Sequence, residues 1–208
     1  MRTRNSLKRE FSDRKGNTKM TTLEITTLDL ALLVIRVVLG ITFVLHGGQK
    51  LFGWYGGGGL KGTKSMMQDL GVAHPGLLGW MAALSEAGGG LFVLIGLLTP
   101  LAAALIISTM LVAIYTVHWK NGFFGGNRGY EFNLSLIALA ATLVLMGAGL
   151  VSVDYLLGAA VPLNLLPAWA ILIIALVPFG GIAMTVFSRR VKALQRSSTD
   201  SEKGLSHS

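Results

Sequence analysis

The chain has 208 residues, enough for one domain, but its mean hydropathy of +0.61 and 13% charged residues exclude an ordinary soluble globule, in which about a quarter is charged. The net charge of +8 is no nucleic-acid signature, because seven of the 18 basic residues lie within the first 19 positions and five beyond Phe187, in polar tails suited to anionic headgroups. The absence of cysteine excludes disulfide exchange, iron–sulfur clusters and covalently attached haem from what this chain does alone.

Residues 1–27 contain no apolar core and read as a disordered basic tail, neither span nor signal peptide; Met20 is an alternative start. An apolar run from about Leu28 to Leu45 is the first of five candidate spans, since about 20 apolar residues of helix cross the hydrocarbon. Arg36 sits in its middle, on one stripe with Gly40, Phe43, Gly47 and Lys50 at three- and four-residue steps.

The run ends at HGGQKLFGWYGGGG, residues 46–59. A phosphate-binding loop needs Lys and then Ser or Thr directly after its last glycine. Here Gly59 is followed by Leu60, Lys61, Gly62 and Thr63, so the pattern fails. A glycine-rich loop beside His46 and Lys50 remains.

The second span, Leu77 to Leu98, carries Glu86 amid small residues, with Ala82, Ala83, Gly89 and Gly90 one turn away, which lets a neighbouring backbone approach. Only Thr99-Pro100 separates it from the third span, Leu101 to Val117, which forces an antiparallel hairpin. Loops 46–76 and 118–131 therefore emerge on one membrane face. The fourth span runs from Phe132 to Leu150. The fifth, Pro167 to Phe187, is interrupted by Pro178-Phe-Gly-Gly181 and is read either as a crossing or as a re-entrant hairpin. A polar basic tail follows from Arg189, and no repeat is evident.

A charge at the bilayer centre costs roughly 2.5–3.5 kcal/mol on insertion scales, so it faces the bundle and has a partner. Counting from His46 and Leu77 places Arg36 and Glu86 at one depth, about 14–15 Å below the loop face, and makes them expected partners. Two readings follow: an ion pair that fixes how two helices dock, or the floor of a polar pocket opening to the glycine-rich loop. Above them, His46, Lys50, His118, Glu131 and Asn133 fall at span ends, with Tyr115 and Tyr130 nearby. They form an expected polar ring suited to proton transfer or to holding a quinone carbonyl. Trp54, Trp80 and Trp119 read as an interfacial belt. No metal site is read, and b-type haem between His46 and His118 is the less favoured cofactor reading.

The Arg within the first span, HGGQKLFGW, SEAGGGLFVLIG, GYEFN and the GAGLVSVD ending together resemble the DoxX family of small bacterial and archaeal membrane proteins, over about residues 28–154. The resemblance singles out Arg36, Gly47, Lys50, Glu86, Gly90, Glu131, Asn133 and Asp154. It implies an all-α, four-helix membrane bundle, to which this chain adds a C-terminal hydrophobic segment over 155–188 and a polar tail over 189–208. It also implies, for some relatives, association with quinone-linked oxidoreductases such as thiosulfate:quinone oxidoreductase. The expected function is thus a multi-pass subunit or accessory of such an enzyme in a bacterial or archaeal plasma membrane. Quinone is the expected non-covalent ligand, and a redox protein or further copies of the chain are the expected partners. The alternatives are a small-solute or proton transporter and a non-catalytic scaffold.

Overall fold

The computed structural model describes residues 24–72 and 74–158. The expected fifth span, the C-terminal tail and most of the N-terminal tail lie outside the described residues.

Helix α1 spans Thr27–Phe52. Thr26 and Asp29 close its first turn reciprocally, the Thr hydroxyl accepting from Asp29 N and the Asp carboxylate accepting from Thr26 N, which satisfies amides that have no helical partner. Gly53, in the left-handed region, ends it. The helix therefore runs beyond the exit expected at His46. Gly47 and Gly48 read as loop signals, yet both are buried within the helix. A side chain at Gly47 would overlap the Ala87 backbone, and one at Gly48 the Trp54 ring, so tertiary packing overrides the weak helix propensity of glycine.

Within the expected long loop lies a further helix, α2, over Gly59–Asp69. Its Thr63 and Met67 are buried, whereas Lys61, Lys64, Ser65 and Gln68 are exposed. Helix α3 spans Pro75–Ile95, with Pro75 in its first turn and left-handed Gly96 after its end. Helix α4 spans Thr99–Ala113 and widens into a π-helical turn over Ile114–His118. Helix α5 spans Glu131–Met146, shorter than the expected run to Leu150, because Gly147 and Gly149 take positive φ and begin a turn. A five-residue helix, α6, covers Val153–Leu157.

All the regular elements among the described residues are helical. Three segments, Thr27–Phe52, Pro75–Ile95 and Thr99–Asn121, are long and apolar enough to cross a membrane. Helix α1 packs against α3, α3 against α4, α4 against α5, and α5 back against α1. Leu32, Leu39, Phe43, Val93, Ile106 and Leu143 fill the space between them. The outward surface is also apolar: Val34 is 61% exposed and Leu145 71%. With Arg36 and Glu86 each only 2% exposed, polar groups point inward and hydrocarbon outward, as lipid demands.

Candidate functional site

The α1–α3 seam sets which charges meet. Gly40 lies against Leu94, and Gly90 against Val44, so the antiparallel register places Glu86 level with Gly48, and Arg36 level with Leu98. Arg36 and Glu86 are thus about twelve residues, or about 18 Å, apart along the axis. The expected Arg36–Glu86 pair is corrected accordingly: depth counted from His46 and Leu77 fails because α1 continues to Phe52 and α3 starts beyond that end.

Glu86 pairs instead with Lys50, whose Nζ donates to Oε1. The Lys50 side chain is 27% exposed and Glu86 is 2% exposed, so the pair reaches from the α2 end of the bundle into its interior. Glu86 Oε2 is buried and has no hydrogen-bond partner among the described residues. Above the pair, the Thr63 hydroxyl lies 3.1 Å from Lys50 O and 2.9 Å from Gly59 O, and its methyl group faces Gly79. This ties α2 across the top of the seam. Gly79, Ala83, Glu86 and Gly90 form one buried stripe on α3. Gly89 turns the other way, towards Ala102 and Ile106 of α4.

Arg36 belongs to a second polar cluster at the opposite end. Its Nη1 donates to Ala148 O at 3.1 Å and its Nη2 to Val151 O at 2.6 Å. Asp154 is the acidic group acting on it electrostatically, and that carboxylate accepts from Leu98 N at 2.7 Å and Thr99 N at 2.9 Å, capping α4. Asp29 accepts from Leu150 N at 2.8 Å. Segment 147–154 is thus held by α1 from two points while it caps α4. The sequence reading missed Asp29, although the Thr-Thr-Leu-Asp spacing is a helix-start signal that could have drawn attention to it.

The remaining candidates hold local structure. His46 Nδ1 and Thr42 O are 2.8 Å apart on one helix face; as the carbonyl only accepts, Nδ1 carries the proton. His118 Nδ1 donates likewise to Arg128 O at 2.7 Å, and Glu131 Oε2 accepts from Gly125 N at 2.8 Å. Both close loop 118–131 upon itself. In that loop Tyr130 stacks on Trp119, with ring centres 5.6 Å apart, and meets the edge of Phe123. Asn133 is buried and donates to Met110 Sδ at 3.3 Å. Among these hydrogen bonds, only Lys50–Glu86 joins two of the candidates. A cavity of about 280 Å³ between α3 and α4 is lined by apolar and small residues, including Leu84, Ser85, Gly88, Phe92 and Leu101, and by none of the charged candidates.

The arrangement of charged seam, glycine contacts and helices can be set beside known proteins. The family model described as DoxX matches residues 31–119. The chain is 30% identical over 128 residues to a Bacillus subtilis protein named "Putative oxidoreductase CatD", covering 62% of this chain and 87% of that one. It is 31% identical over 131 residues to "Inner membrane protein YqjF" of Escherichia coli, covering 62% and 93%. No solved structure matches. The apolar helices and the inner-membrane relative agree on a membrane location, and the chain belongs to the DoxX family.

Proposed function

We propose that this chain is a multi-pass subunit or accessory of a quinone-linked oxidoreductase in a bacterial or archaeal plasma membrane, with α5 as the fourth crossing and the Lys50–Glu86 seam as its quinone site. The observation that carries this reading is a fully buried carboxylate with one oxygen free of partners among the described residues, beside a lysine reaching in from the α2 end. Ionisable groups within a membrane are functional by default, and polar groups converging in an otherwise apolar wall suit an amphiphilic headgroup. The relative whose name includes "oxidoreductase" supports redox chemistry. In this reading Arg36, Asp29 and Asp154 hold the scaffold, and electrons come from a partner protein.

The test compares membranes carrying the parent chain with membranes carrying Lys50→Met at equal abundance. Reduction of a short-chain quinone with thiosulfate as donor should be at least about tenfold faster with the parent. Equal rates overturn the proposal. Solute flux in proteoliposomes lacking any electron donor would replace it with transport.

A further inference from the structure

The Lys50–Glu86 seam carries a preference that its own atoms dictate. Glu86 Oε1 accepts a hydrogen bond from Lys50 Nζ, while Oε2 is buried without a donor among the described residues. An ionised carboxylate oxygen accepts hydrogen bonds and donates none. The two charges cancel, so the pair gives no net attraction to an anion, and a ligand bearing only carbonyl oxygens brings nothing that Oε2 can use. A hydroxyl does.

We propose that Glu86 Oε2 is the docking point for a neutral hydroxyl donor on an apolar body, so that the site takes the phenolic, reduced form of a headgroup in preference to its carbonyl-bearing, oxidised form. This rests on the reading of the seam as a ligand site and adds the redox state that it selects. A carboxylate oxygen left without a donor in a low-dielectric interior is costly, and the described residues offer none: Lys50 is turned to the other oxygen and Arg36 lies at the far end. The accessible side of the pair is Lys50, whose side chain is 27% exposed next to α2. That helix is tied to Lys50 O through Thr63 and has glycines at positive φ at its ends, Gly56 before it, Gly59 as its first residue and Gly71 after it. Such joints let a short helix shift as a unit without strain in its neighbours.

Glutamine at position 86 inverts the chemistry while keeping the shape. Lysine only donates, so the amide oxygen turns towards Lys50 and the amide NH2 occupies the place of Oε2. The variant therefore presents a donor where the parent presents an acceptor.

The experiment uses the full chain in nanodiscs and three probes on one ring: tetramethylhydroquinone, tetramethylbenzoquinone and the dimethyl ether of the hydroquinone. Affinity is measured by calorimetry. The parent should bind the hydroquinone about tenfold more tightly than the quinone or the ether, the scale of one hydrogen bond to a charged group. In Glu86→Gln the preference should vanish or reverse towards the quinone. Equal binding of all three probes by the parent overturns the donor preference and leaves the quinone-site reading standing. Binding of none overturns both. If Glu86→Gln fails to insert, the ratio between hydroquinone and ether in the parent decides alone.

Discussion

At residue level, a buried charge is identified by its partner. Lys50→Met leaves the buried Glu86 carboxyl without its partner, a loss of about 3–5 kcal/mol, and Lys50→Met with Glu86→Leu should recover part of it. Arg36→Leu strips two carbonyls of their donors. Because Arg36 and Glu86 lie at different depths, their losses should add to within about 0.5 kcal/mol, whereas those of Lys50 and Glu86 should not. Chemical denaturation of the detergent-solubilised single and double variants checks both. Coupling between Arg36 and Glu86 as strong as that between Lys50 and Glu86 would contradict the register. The sequence identified both inward charges, since an intramembrane charge stands out against its neighbours. It could not identify their partners, because depth depends on where helices end.

At element level, apolar runs located the helices and close packing set their ends. Helix α1 passes through two glycines whose missing side chains let α3 and Trp54 approach. Helix α2 was unread because glycines flank it and its sequence is mostly polar, so no apolar run marks it. Its buried Thr63 and Met67 are recognisable only against α3. These contacts predict a contrast between neighbouring glycines. Gly47→Leu places a side chain inside the α3 backbone, whereas a methyl group at Gly88 meets nothing within 4 Å. Gly47→Leu should abolish a monodisperse peak in size-exclusion chromatography, and Gly88→Ala should leave the melting temperature within a few degrees of the parent's. Asp154→Ala removes the acceptor for Leu98 and Thr99 amides and should cost about 1 kcal/mol, the usual worth of a helix cap, read as a lower melting temperature.

At the scale of the whole molecule, the exposed basic residues gather at one end of the described bundle, where Asp69 and Glu131 are also exposed. Among the described residues, Lys61, Lys64, Lys120 and Arg128 are exposed on the α2 end, amid exposed Phe52, Tyr55, Trp119 and Phe124. The other end bears Glu24, Asp29 and Asp154 and, among the described residues, no exposed Lys or Arg. Lysine and arginine near spans favour the cytoplasmic side, so the α2 end is expected there, although the basic N-terminal tail draws in the opposite sense. The cysteine-free sequence makes the check clean. Ser65→Cys should resist a membrane-impermeant maleimide in intact cells, and Ile25→Cys should react. The reverse pattern would place the α2 end outside.

The clasp between α1 and segment 147–154 bears on the order of assembly. Arg36 reaches partners 112 and 115 positions later, and Asp29 one 121 positions later. During synthesis the first helix must enter the bilayer with its arginine unanswered, and the debt in contacts is settled only when the last described turn emerges. Such sequence-distant closure slows folding and makes the arrival of segment 147–154 a checkpoint: a product stopped before Ala148 retains every long helix found among the described residues, yet leaves Arg36 without its carbonyl partners. Released truncations ending at 146 and at 158 should show this, with the shorter product protease-sensitive and the longer one resistant.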